Sequence, residues 1–170
     1  MRALPLTVTA LAAALALTAC DNGGSGGDKN GSACEIGDLS VQVGPASVAP
    51  AAGDTGEVPV SITNQTAACT LDRFPRVLLE SGRTETPLSP QQGAKPQKIE
   101  LAKGDSASFT ITYVRGAAGD GSSLEATAVK IAFPGSDTTR AYPWKYGPVA
   151  GKGAADKPDA SVSAFQRAGD

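Results

Sequence analysis

From Ser106 to Tyr113 the chain alternates Ser-Ala-Ser-Phe-Thr-Ile-Thr-Tyr, apolar and hydroxyl side chains in strict turn. Successive strand side chains point to opposite faces, so Ala107, Phe109, Ile111 and Tyr113 share one face for burial. The same period recurs. Val58, Val60 and Ile62 alternate with Pro59, Ser61 and Thr63, and Leu39, Val41 and Val43 with Ser40 and Gln42. Pro59 removes a ladder donor, which points to an edge position or a strand start. Thr127, Val129, Ile131 and Phe133 give a further strand before Pro134-Gly135. A rival reading puts Leu124, Ala128 and Ile131 on one helical face after Ser122 as N-cap, but the β-branched residues and the Pro-Gly stop favour a strand.

Val77-Leu78-Leu79 is a continuous apolar run, as expected of a strand covered on both faces. Gln97–Leu101 reads as the hairpin partner of the Ser106 strand, joined through Lys103-Gly104-Asp105. Thr138–Tyr142 and Ala160–Phe165 add two more candidates, the second after a loop from Gly151 to Asp159. With 20 glycines, 12 prolines and no convincing helix, this is a loop-rich all-β chain. About seven or eight short strands predict an Ig-like antiparallel β-sandwich, and a closed barrel satisfies the same pattern.

At the N-terminus, Arg2 precedes an apolar run from Leu4 to Leu17 that ends in Leu-Thr-Ala-Cys20. A basic start, a short apolar stretch and small residues before a cut site describe a secretory signal. The run is at the short end for a membrane span and has no basic stop-transfer flank. Small residues before an early cysteine resemble a bacterial lipobox, in which Cys20 takes a diacylglycerol and becomes the first mature residue. Residues 1–19 are therefore expected to be a lipoprotein signal peptide. Residues 20–33, the lipidated cysteine and a Gly/Ser-rich run, are expected to be a tether reaching roughly 20 Å. The expected β domain spans residues 34–166, with 167–170 as a tail.

Lipidation of Cys20 leaves an even pair, Cys34 and Cys69, of the three cysteines. Export permits a disulfide, and a bridge across about 36 residues would contribute roughly 3–4 kcal/mol in the chain-entropy account. A buried free pair and a metal site are the alternatives. Two thiols without histidine make a poor zinc site, and no C-x-x-C spacing is present. A structural disulfide is the favoured reading.

The run that joins two core strands, Ile62-Thr63-Asn64, then Cys69-Thr70-Leu71, then Phe74-Pro75 and Val77, resembles an actinobacterial family of secreted proteins and lipoproteins, domain of unknown function 4232. The resemblance implies a β-sandwich and an extracytoplasmic address, without an established activity. The family pattern carries glycine where Arg73 and Arg76 stand, so a positive φ at Arg73 would bear the steric cost of a Cβ. Some members also carry late cysteines that this chain lacks. The motif's physics favours structure. Asn64 can bond its own turn, Leu71, Phe74 and Val77 can pack at the core's edge, and Pro75 pre-sets the next strand. An anion clamp of Arg73 and Arg76 is the functional alternative.

Histidine is absent. That removes Ser-His-Asp and Cys-His catalysis and the commonest transition-metal ligand. A net charge of −2 offers no basic face for nucleic acid. Met1, the single methionine, would leave with the signal, so copper ligation is unsupported. Glu57, Glu80, Glu85, Glu100 and Glu125 are scattered, with no motif pairing two of them for glycoside hydrolysis. Tyr142-Pro143-Trp144-Lys145-Tyr146 crowds three aromatics together. Tyr142, Trp144 and Tyr146 form either a surface for glycan or protein contacts or a plug at the open end of the sandwich. The sequence thus points to a non-enzymatic binding or adaptor module, anchored by Cys20 on the outer face of the cytoplasmic membrane. The expected partner is a cell-envelope protein or glycan, with no cofactor or metal and a monomeric state. A structural lipoprotein without a ligand is the second reading, and a carboxylate-based hydrolase a distant third.

Overall fold

The computed structural model describes residues 32–168. The expected signal peptide, Cys20 and most of the tether lie outside the described residues. A single 3-10 turn at Ile36–Asp38 opens the domain, and no α-helix follows among the described residues. The strands are β1 (Leu39–Val43), β2 (Thr55–Asn64), β3 (Cys69–Leu71), β4 (Arg76–Ser81), β5 (Thr84–Pro87), β6 (Ser89–Pro90) and β7 (Ile99–Leu101). They continue as β8 (Ser106–Val114), β9 (Ser123–Leu124), β10 (Ala128–Ala132), β11 (Arg140–Pro143), β12 (Val149–Ala150), β13 (Ala160–Val162) and β14 (Gln166–Arg167).

The chain is an all-β sandwich. One sheet runs β1-β2-β8-β13-β6, with β14 also on β8, and the other runs β11-β10-β4-β5. Their inward side chains share one core, in which Val58, Val60, Ile62, Phe109, Ile111, Val77, Leu79, Val129 and Ile131 are at most 1% exposed. Each such side chain contributes roughly 1.5–3 kcal/mol over leaving it in water. The hydroxyl-rich faces of β2 and β8 turn outward, where Thr63 and Ser106 hydrogen-bond across the register at 2.9 Å. Segments number fourteen rather than seven or eight because two-residue polar pairings such as β6 and β14 carry no apolar alternation to announce them.

The C-terminal strand bends to complete the core. Between Val162↔Ile111 and Gln166↔Ser108 the outer strand advances by four residues while β8 advances by three. That extra residue is a β-bulge, and it turns both Val162 and Phe165 inward. Phe165 then meets Phe109 edge-on at 5.8 Å.

Three expectations change. Gln97–Leu101 is not the hairpin partner of β8: β7 pairs with β3 instead, Cys69 opposite Leu101. The Lys103-Gly104-Asp105 turn bonds back onto β2, where the Asn64 N–H donates to the Asp105 carbonyl and the Gly104 N–H to the Asn64 carbonyl. β4 is not covered on both faces, since Val77 and Leu79 are buried while Leu78 between them is half-buried. Pro59 marks neither an edge strand nor a strand start. It lies inside β2, opposite Gly44, where β1 stops pairing and no donor is needed. At the two ends of the described chain, Thr70 donates to the Ser32 carbonyl and Arg167 pairs with Ala107.

Candidate functional site

Sequence reasoning left Tyr142, Trp144 and Tyr146 as either a contact surface or a plug at the end of the sandwich. The structure turns Trp144 inward, at 6% exposure. Its ring meets Tyr113 at 5.2 Å and Tyr146 at 4.9 Å, both edge-to-face, and its Nε1 donates to the Gly147 carbonyl at 2.7 Å. The Tyr113 hydroxyl donates to the Tyr146 carbonyl at 3.0 Å, and Arg115 Nη1 donates to the Ala49 carbonyl at 2.7 Å. Gly56 faces Tyr113 in register, and a Cβ there would stand 2.5 Å from its ring. Trp144 therefore offers no free face for stacking; the rings close this end of the sandwich. Tyr146 and Tyr142 are half-buried. Burial pushes both phenols above their ordinary pKa, Arg140 partly opposing this at Tyr142. The Tyr142 hydroxyl itself lacks a hydrogen-bond partner.

At the opposite turn cluster, Asn64 is fully buried and satisfied. Its Nδ2 donates to the carbonyls of Ala67 (2.8 Å) and Leu101 (3.0 Å), and its Oδ1 accepts from the Thr66 N–H at 3.1 Å. It thereby fixes the path from β2 into β3 and holds the end of β7. Cys34 and Cys69 form the disulfide. Around it, Cys34 donates to the Thr70 carbonyl and Thr70 to the Ser32 carbonyl, so the incoming chain runs alongside β3. Leu71, Pro75 and Val77 are buried and Phe74 half-buried.

Arg73 has φ +63, alone among non-glycine residues in the described chain. It does not share a cavity with Arg76. A hollow of about 200 Å³ lies between Ala33, Thr70, Asp72, Arg73, Lys98, Pro134 and Gly135, so the second cation is Lys98. Arg76 instead opens β4, exposed and paired with Ala132. Lys98 escaped sequence reasoning because it reaches Arg73 only through the β3–β7 pairing.

A larger polar groove of about 590 Å³, also unforeseen, runs between the Pro87–Gln92 segment and the loop holding Lys152, Asp156 and Lys157. It exists because β6 pairs parallel to β13, which joins segments distant in sequence. Lys152 is paired there with Asp159 at 3.1 Å.

Of the scattered carboxylates, Glu80 and Glu85 come together, but on one cation. Lys130 bridges them, with Nζ 2.6 Å from Glu85 and a closer contact to Glu80, on the outer face of the four-stranded sheet and outside both of these cavities. These contacts raise the Lys130 pKa, the Glu80 bond first. An ammonium shared by two carboxylates offsets part of their charge and ties both to one cation, which suits a sheet-face salt bridge rather than an acid–base pair. Among the described residues no three acidic or cysteine side chains are grouped to hold a metal.

The family described as Domain of unknown function (DUF4232) matches residues 34–166, and the chain belongs to it. No curated protein and no solved structure matches.

Proposed function

We propose that this DUF4232 member is a lipid-anchored extracytoplasmic module that binds or adapts other envelope components without catalysing a reaction. The lipobox-like Leu-Thr-Ala-Cys20 and the Gly/Ser-rich run after it support the anchor. One observation carries the reading: the chain leaves that run straight into a stapled edge. Ser32 and Cys34 are hydrogen-bonded to Thr70, and Cys34 is bonded to Cys69. Load on a membrane tether would thus pass into β3 rather than peel β1 from the sheet. Composition gives the tether a reach of roughly 20 Å, which keeps the domain near the membrane surface. A domain of this kind acts through its surface, and the polar groove beside β6 is large enough for a peptide or glycan segment.

Burial of Trp144 favours a second reading, a structural lipoprotein without a discrete ligand. Two measurements separate these. Metabolic labelling with a palmitate analogue and membrane fractionation should both lose signal in Cys20→Ser; unchanged partitioning sinks the anchor. Proximity labelling on intact cells should then enrich envelope components over an unrelated domain on the same tether. Equal enrichment by both leaves the structural reading.

A further inference from the structure

We propose that the hollow under the Arg73 turn binds one phosphate-type oxyanion, held by Arg73, Lys98 and the Thr70 hydroxyl. Four features meet there. Arg73 has no ion pair or hydrogen bond among the described residues, and it occupies a left-handed backbone region that strains a residue with Cβ. A cost of that kind, carried at a cavity wall, is characteristic of functional positions. Lys98, on the same wall, has only a 4.0 Å contact with Glu100, both side chains well exposed, and such a pair gives up its cation readily. Thr70 also lines the hollow at 7% exposure, and its buried Oγ1 has no partner among the described residues. A buried hydroxyl without a partner in a folded protein calls for one.

Charge and size set the ligand class. Arg73 and Lys98 outweigh Asp72, the remaining charge in the lining. A guanidinium fork grips two oxygens of a tetrahedral anion and an ammonium a third, while the Thr70 hydroxyl, closed to solvent in the empty hollow, has to turn into it to donate to the fourth. About 200 Å³ is below the roughly 300–1,000 Å³ of sites for whole small molecules. One anionic group fits; a nucleotide or a sugar chain does not. Ala33 forms part of the wall, so the hollow lies where the chain arrives from Cys20. The oxyanion could be free phosphate or a phospholipid headgroup. The site stands on the domain's geometry, and only its headgroup source rests on the anchoring proposed above.

The test uses the mature chain from residue 20 carrying Cys20→Ser, so that neither a lipid nor the apolar Leu4–Leu17 run is present. Inorganic phosphate, against chloride at matched ionic strength, should shift the amide signals of Thr70, Arg73 and Lys98 saturably. Arg73→Gly relieves the left-handed backbone, so the fold survives while the cation is lost; it and Lys98→Ala should each weaken binding at least about tenfold. Thr70→Val should weaken it about threefold or more. Asp72→Asn should tighten it. Vesicles of phosphatidylglycerol then identify the source: binding that phosphate competes away and Arg73→Gly abolishes assigns a headgroup, and phosphate binding without vesicle binding assigns the free ion. Shifts absent from these residues, binding indifferent to Arg73→Gly, or binding weakened by Asp72→Asn would overturn the proposal. Unchanged membrane partitioning of Cys20→Ser would strike the anchor alone.

Discussion

The Asn64 Nδ2 reaches the Leu101 carbonyl at 3.0 Å and thereby ties the last residue of β2 to the last residue of β7, two strands that share no ladder. The same amide satisfies the Ala67 carbonyl and the Thr66 N–H. Asn64→Ala would strand the buried Leu101 carbonyl and leave the Thr66 N–H and the Ala67 carbonyl, on exposed residues, to water. At about 1 kcal/mol for each hydrogen bond, the loss should be about 2–3 kcal/mol. Urea unfolding of the variant reads it directly. A midpoint equal to that of the parent would show that the turn stands without Asn64.

At Arg73 the arithmetic runs the other way. A Cβ at φ +63 costs about 1–2 kcal/mol, and glycine gives back up to about 1 kcal/mol through its looser unfolded chain. Arg73→Gly should therefore stabilise by about 0.5–1 kcal/mol and raise the melting temperature by roughly 2–4 °C. Arg73→Ala keeps the Cβ and should change little. A melting temperature that rises equally for both variants would show that backbone strain is not the cause.

Arg73 also marks how far the sequence alone carries. The family pattern places glycine at this position, so a left-handed backbone was legible there, as were the faces of β2, β8 and β10 from their alternation. Partners were not. Period two reports which side chains point inward, but nothing local says that β7 leaves β8 for β3 or that Lys98 joins Arg73. Leu78 looked buried because a continuous apolar run reads the same whether or not the outer face is covered. The bulge before Phe165 was invisible for a related reason, since one extra residue shows only against a partner strand. Trp144 is the clearest lesson. Crowded aromatics read equally as surface or plug, and the choice was made by Gly56, on another strand, whose bare backbone admits Tyr113 beneath the indole.

Gly56 supplies the next prediction. An alanine methyl would lie 2.5 Å from the Tyr113 ring, whose hydroxyl is held by the Tyr146 carbonyl and whose face packs on Trp144. The ring must move or the strands must part. Gly56→Ala should cost about 1–3 kcal/mol as overpacking does. Trp144 is the only tryptophan, so its emission reports the change: a red shift is expected as water reaches the indole. Unaltered emission and stability would mean that the plug is loose.

Alkaline pH should loosen the same end of the molecule. Burial holds the Tyr142 phenol above 10.0, and Tyr146 is raised by burial and then by Tyr113. A raised pKa means that the unfolded chain gives up its proton first. The stabilisation from these phenols is complete below about pH 10 and is lost as pH climbs through the unfolded value toward the folded one. Urea midpoints between about pH 8 and pH 11 should fall, and the fall should be shallower in Tyr142→Phe/Tyr146→Phe. Lys130, also raised, contributes a further decline that the double variant keeps. A slope unaffected by removing both hydroxyls would assign the alkaline loss elsewhere.

The disulfide should dominate the resistance of the domain to unfolding. Cys34 and Cys69 are 35 residues apart, and closing a loop of that length removes about 4 kcal/mol of chain entropy from the unfolded state. Single domains typically hold about 5–15 kcal/mol in all. Reduction should therefore leave a folded but marginal molecule, in which Ser32–Cys34 keep their backbone bonds to Thr70. The Cys34→Ala/Cys69→Ala variant isolates the crosslink from the redox chemistry, and its urea midpoint should match that of the reduced parent. Intact mass after alkylation gives the independent check: Cys34 and Cys69 should take label only once reductant is present. Labelling of both without reductant, or a midpoint that reductant does not move, would remove the staple from the account of how this domain bears its tether.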